Sequence, residues 1–163
     1  MPLVYQQIKR SFPGFILSIG NSYSQVFFNN SRIFAVLLIL VTMLNWSAGV
    51  AGLISVIISN SAAYVIGFNR FNIKSGYYGF NSLLVGLGLG VFYQPSPEFF
   101  MVLVFTAIFT LFVTVMMEGI IGKYGLPYLS MPFLIALWMV TLAARSFSSL
   151  EVSEEGVFAL NEM

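Results

Sequence analysis

The chain has 163 residues, 58% of them hydrophobic and 8% charged, with a net charge of +1 and a mean hydropathy of +0.90. Soluble domains are about one quarter charged, so this composition belongs in a bilayer, with several spans rather than one anchor. Cysteine, histidine and aspartate are all missing, which removes thiol and disulfide chemistry, histidine metal sites and Ser-His-Asp or Cys-His catalysis, and the near-neutral charge offers no nucleic-acid surface.

The six glutamates are the remaining metal ligands, and four of them (Glu151, Glu154, Glu155, Glu162) lie in the polar tail. No enzyme and no cofactor is expected. Residues 1–12 carry Lys9 and Arg10 and read as an interfacial segment. They lack the long apolar run and small-residue cleavage site of a signal peptide. Residues 13–30 are apolar but interrupted by Gly14, Gly20, Asn21, Ser22, Ser24, Gln25, Asn29 and Asn30, a pattern that predicts a short re-entrant helix rather than a lipid-facing span. At its end Gln25 can present an amide to a cavity, with Phe28 stacked beneath it. A plain amphipathic surface helix with aromatic anchors explains the same residues.

Residues 33–68 are too long for one upright span and predict two short helices with a tight turn over 45–49. In the second, Ala51, Ser55, Ser59 and Ala63 recur every fourth residue, a stripe that lets another helix approach closely. Residues 69–78 read as a polar loop with Arg70 and Lys74. Residues 79–93 form a glycine-rich apolar stretch. Helix packing accounts for Gly86 and Gly90, four residues apart. Asn81 is placed to cap the helix, and Phe80 and Leu84, one turn apart, can form one wall of a flat slot.

Residues 94–98, with Pro95 and Pro97, predict a turn, and 99–117 an uncharged span of bilayer length. Glu118 follows at the interface, near Lys123. Trp46 and Trp138 read as interface or packing residues. The last span, 126–144, holds Pro127, Ser130 and Pro132. In a helix through this segment Pro132 withholds the donor that the Tyr128 carbonyl needs. An orphan carbonyl in lipid costs several kcal/mol, so this oxygen and the Ser130 hydroxyl predict an acceptor-lined path.

The reading is an all-α integral membrane fold of five crossings and one re-entrant helix, with a membrane domain over 13–145 and a polar tail or linker over 146–163. Arg32, Arg70, Lys74 and Lys123, with Lys9 and Arg10, fall on one face and Arg145 on the other, which puts the N-terminus in the cytoplasm and the 94–98 turn and tail outside. An odd number of crossings means that a second copy fused after the tail enters inverted.

The order and spacing of three elements resemble the urea transporter family. Its halves carry Gln-x-x-Phe, then Gly-Phe-Asn with apolar and glycine residues, then Leu-Pro-x-Leu-Thr-x-Pro-Phe. Here these read Gln25-Val26-Phe27-Phe28, Gly79-Phe80-Asn81 through Gly90, and Leu126 to Phe133. The resemblance implies a trimer in a bacterial inner (plasma) membrane, with one pore per protomer between two inverted repeats. Urea passes down its gradient between facing phenylalanines and beside rows of oxygens. By that resemblance Gln25, Phe28, Phe80, Leu84, Tyr128 and Ser130 line this half of the pore. Urea is flat, neutral and rich in donors, so acceptors must replace its water, and no charge in the three elements attracts an ion. Serine replaces the usual threonine at 130, and Ser82 replaces an expected glycine. Each element occurs once, so the pore is complete only with a second repeat or partner chain. The alternatives are a non-transporting membrane anchor or assembly domain of the same fold, and a channel for another small neutral amide or for ammonia.

Overall fold

Small residues decide where the helices meet. The computed structural model describes residues 2–29, 31–144 and 150–153, and these are helical apart from turns and one isolated β-bridge. The helices are α1 (Pro2–Gln25), α2 (Arg32–Thr42), α3 (Trp46–Ile66), α4 (Arg70–Lys74), α5 (Phe80–Phe92), α6 (Pro97–Ile120) and α7 (Met131–Ala144). A 3-10 turn, Gly122–Tyr124, follows α6. Arg145 and residues 154–163 lie outside the described set, as do the side chains of Lys9 and Arg10.

The largest interface joins α3 to α5. Ala51, Ser55, Ser59 and Ala63, the predicted stripe, are all fully buried; Ser59 and Ala63 turn toward Tyr78, Ile73 and Leu111, and Ala51 and Ser55 meet α5. Facing them, a Cβ on Gly86 would stand 2.6 Å from the Ala51 carbonyl oxygen, and one on Gly90 would stand 2.7 Å from the Ala48 Cα. Both glycines therefore serve backbone approach, which is how membrane helices gain contact without a hydrophobic drive. Helix α6 packs on α3 and α5 through Phe99 and Leu103, and its buried Thr106, Thr110 and Thr114 hydroxyls each donate to the carbonyl four residues earlier. Helices α1 and α2 flank this centre on one side, with Tyr23, Ala35, Val56 and Leu83 between them, and α7 packs on α5 and α6 through Ala136.

Five apolar helices (α2, α3, α5, α6, α7) fall where the sequence places five apolar stretches, and two of them are long and apolar enough to cross a membrane: α3, and α6 together with its 3-10 turn. The other three have 11, 13 and 14 residues. At 1.5 Å per residue, 14 residues reach about 21 Å, short of a hydrocarbon core of about 30 Å.

Four predicted boundaries change. Helix α1 runs unbroken from Pro2 to Gln25, so no break separates 1–12 from 13–30. Its serines bond their own backbone (Ser18 to the Phe15 carbonyl at 2.6 Å, Ser22 to the Ser18 carbonyl at 2.8 Å) and so remain compatible with a helix. The turn expected over 45–49 lies at 43–45 instead. Asn45 caps α3 from outside, accepting from the Ala48 N–H at 3.2 Å, and Trp46 is already helical. The polar loop 69–78 contains α4, capped by Asn69. The last helix starts at Met131, not at 126.

The tail returns to the bundle. Leu150 is buried against Tyr93 and Phe99, and Val152 pairs antiparallel with Tyr93. Gln94 N–H donates to the Glu151 carbonyl at 2.9 Å, and Ser153 N–H to the Phe92 carbonyl at 2.8 Å. Residues 150–153 thus sit beside the 94–98 turn.

Candidate functional site

The second and third sequence elements meet around the segment between α4 and α5, and α1 touches the same segment one turn before the first element. Gly76 sits there at φ +81°, and any Cβ on it would overlap the backbone of Asn21 and Ser22. A side chain on Gly79 would likewise collide with the Ser22 hydroxyl and the Asn60 amide oxygen. The loop is pressed onto α1 at the turn that leads to Gln25.

That turn ends α1 by backbone bonds alone. Phe28 N–H donates to the Gln25 carbonyl at 2.9 Å and Asn29 N–H to the Ser24 carbonyl at 3.1 Å, the paired bonds of a Schellman motif. Its left-handed residue is ordinarily glycine, but here it is Phe28, at φ +54°. The predicted stacking of Phe28 beneath Gln25 does not form as drawn. Phe28 is 60% exposed and Gln25 half-buried, while the neighbouring Phe27 pairs edge-on with Phe34 at 5.5 Å.

Phe80 and Leu84 sit in the first turns of α5. Leu84 is half-buried, but the Phe80 ring is only 2% exposed, lying 6.3 Å from the ring of Tyr77. Tyr77 also meets Tyr128 edge-to-face at 5.8 Å, so one ring joins the second and third elements. The sequence reading missed Tyr77 because it lies in a segment taken for a polar loop, although the Tyr77-Tyr78 pair was a visible aromatic signal.

The expected cap by Asn81 is absent. Gly79 is the N-cap of α5, with no side-chain bond. Asn81 instead reaches across to the third element, its Nδ2 donating to the Leu129 carbonyl at 3.4 Å, while its Oδ1 is buried without a partner.

The third element also departs from the expected broken helix. Pro132 stands in the first turn of α7, where no intrahelical donor is needed, so it starts the helix rather than interrupting it. The Tyr128 carbonyl is accordingly not an orphan, because it accepts from the Met131 N–H at 3.0 Å. The Ser130 carbonyl accepts from the Leu134 N–H at 3.2 Å. Tyr128 is buried with its hydroxyl unpaired, Ser130 is half-buried, and Leu129 between them takes φ +42°. Phe28 and Leu129 are the two non-glycine residues with positive φ among the described residues, and each lies in one of the candidate elements. Backbone strain of this kind gathers at functional sites.

Glu118 accepts from Asn72 Nδ2 at 2.9 Å, which ties α4 to α6. No group of three or more metal-ligating side chains occurs among the described residues.

The family model for urea transporters matches residues 16–162. The chain belongs to the urea transporter family. Members of this family carry urea across membranes and are channels rather than enzymes, so this urea transporter domain is a membrane domain with urea as its substrate. The match extends past α7 into the tail, beyond Phe133 where the three sequence elements end. In this urea transporter, Phe80, Asn81, Tyr128 and Leu129 are brought into one cluster, whereas Gln25 and Phe28 reach it only through the α1 backbone at Asn21 and Ser22.

Proposed function

We propose that this chain supplies one half of the wall of a narrow urea pore, completed by a second repeat or a second chain. The observation that carries the reading is the joint at Asn81 and Tyr77, which locks the start of α5 to the turn before α7. That joint groups a phenyl ring, a serine hydroxyl and the backbone oxygens of a non-helical turn, the kind of surface a flat, donor-rich solute needs once it loses water. Gln25, Phe28, Phe80, Leu84, Tyr128 and Ser130 form the proposed lining. Phe80 is covered in the single chain, so the reading requires the Tyr77 ring beside it to move or the completed assembly to expose it. Binding must stay weak so that urea leaves, and the lining carries no charge to hold it. In this reading the five apolar helices make the five crossings with α1 as the sixth element, and the assembly is a trimer in an inner membrane with the N-terminus in the cytoplasm.

The test is urea efflux from proteoliposomes holding the chain alone, or the chain co-expressed with an inverted second half. Fast efflux that Phe80→Ala or Ser130→Ala alters, with assembly intact, is the expected result. Background efflux from both folded preparations would overturn the reading and leave a membrane anchor. Passage of ammonia but not urea would reassign the permeant.

A further inference from the structure

Asn81 does no local work in α5. It is fully buried in the first turn, makes no cap, and spends its amide on a residue 48 positions away, the Leu129 carbonyl. Its other amide atom, Oδ1, is buried and unpaired. An apolar side chain of the same size would avoid that cost. What the amide contributes is therefore the bond to Leu129.

Leu129 is the residue that needs such a bond. At φ +42° its Cβ crowds the following carbonyl, and leucine has no polar side chain to offset this locally as asparagine does. Its backbone angles set how residues 128 and 130 point relative to one another. Tyr128 goes inward onto Tyr77, while Ser130 stays half-exposed at the mouth of α7. An unbraced Leu129 relaxes toward negative φ and turns Ser130 with it.

We propose that Asn81 is a positioning residue: it holds Leu129 in the left-handed conformation and thereby fixes the direction in which Ser130 is presented. The proposal rests on the pore reading for its consequence in transport, but its test does not. The chain has no cysteine, so Ser130→Cys introduces one thiol as a reporter.

The experiment measures the rate at which a small water-soluble methanethiosulfonate modifies Ser130→Cys in membranes holding the full chain. It is run in four backgrounds: no further change, Asn81→Ala, Asn81→Leu, and Asn81→Ala with Leu129→Gly. Loss of one buried hydrogen bond shifts a two-state equilibrium by roughly threefold to tenfold, and the labelling rate should change by that much in Asn81→Ala. Asn81→Leu keeps roughly the volume but has no donor, and it should behave alike. It also stands in if the alanine variant fails to fold. Glycine adopts positive φ without a brace, so Leu129→Gly should return the rate toward its starting value, which a general loosening of the fold would not do. An unchanged rate in both Asn81 variants, or no recovery in the double variant, would overturn the proposal. Urea flux measured in parallel on the cysteine-free chain, alone and co-expressed with an inverted second half, separates the two ideas. A labelling shift with no flux in any variant leaves the positioning role standing and removes the pore.

Discussion

Tyr77 and Tyr128 meet edge to face, their ring centroids 5.8 Å apart and their planes at 78°, across 51 positions of sequence. The contact anchors the non-helical turn before α7 to the loop that precedes α5. An edge-to-face pair contributes about 0.5–1.5 kcal/mol beyond its buried area. The Tyr128 hydroxyl adds nothing to that, since it is buried and unpaired.

Tyr128→Phe therefore keeps the ring contact and removes an unsatisfied hydroxyl. Thermal unfolding in detergent should show unchanged or raised stability, by up to about 1 kcal/mol. Tyr128→Ala should lose about 3 kcal/mol or more, through the cavity and the lost ring pair. A Tyr128→Phe variant that unfolds at clearly lower temperature would mean that the hydroxyl has a partner after all.

Gly86→Ala should break the α3–α5 interface. The added Cβ would lie 2.6 Å from the Ala51 carbonyl and 2.5 Å from the Ser55 hydroxyl. Overpacking of this kind costs about 1–3 kcal/mol. Ser55→Gly removes the hydroxyl but cannot move the carbonyl, so the double variant should recover only part of the loss. Full recovery would show that the backbone approach at Ala51 is not the constraint. The readout is the melting temperature of each purified variant.

The stripe on α3 and its glycine partners on α5 were legible in the sequence because spacing alone puts small residues four apart on one face of a helix, although only Ala51 and Ser55 of that face meet the α5 glycines. The same holds for the turn at Pro95 and Pro97, where Ser96 caps α6 with Pro97 just inside. The third element was misread for a physical reason. Proline is destructive inside a helix and harmless in its first turn, and the residues of 126–133 do not say which applies until the helix start is known. The continuity of α1 was hidden similarly, since serine reads as a breaker unless its hydroxyl turns back to the preceding carbonyl. Of the candidate site, Phe80, Tyr128 and Ser130 were found as residue types in a recognised pattern. The Asn81–Leu129 contact and the place of Tyr77 were not found, because partners 48 and 51 positions apart leave no periodic trace.

The tail should act as a cap for α5. The last carbonyls of any helix lack intrahelical donors, and here those of Val91 and Phe92 accept from Ser153, through its hydroxyl and its N–H respectively. Truncation after residue 149 removes both donors, the Gln94–Glu151 bond and the buried Leu150 side chain. Hydrogen exchange at Gln94 should then quicken at least about tenfold, as one to two hydrogen bonds of about 1 kcal/mol each are lost. Exchange within the middle of α6 should stay as it was. Equal acceleration in both places would mean global destabilisation rather than a local cap, and no change at Gln94 would remove the tail from the fold.

Asn72 bridges two partners, with Nδ2 donating to Glu118 Oε1 at 2.9 Å and to the Tyr78 hydroxyl at 3.2 Å. This ties the short helix α4 to the end of α6 and to the loop that carries Tyr77. A five-residue helix is too short to hold itself, so α4 depends on such ties. Glu118→Gln preserves an acceptor at the same place and should cost little, under about 1 kcal/mol, because only the charge assistance is lost. Asn72→Ala removes both bonds and leaves the buried Tyr78 without that contact, so it should cost about 1–3 kcal/mol and speed exchange through α4. The comparison is made by thermal unfolding with exchange on the same samples. If Glu118→Gln proves as damaging as Asn72→Ala, the carboxylate charge rather than the hydrogen-bond geometry holds α4 in place, and a cation from the adjoining loop must be its partner.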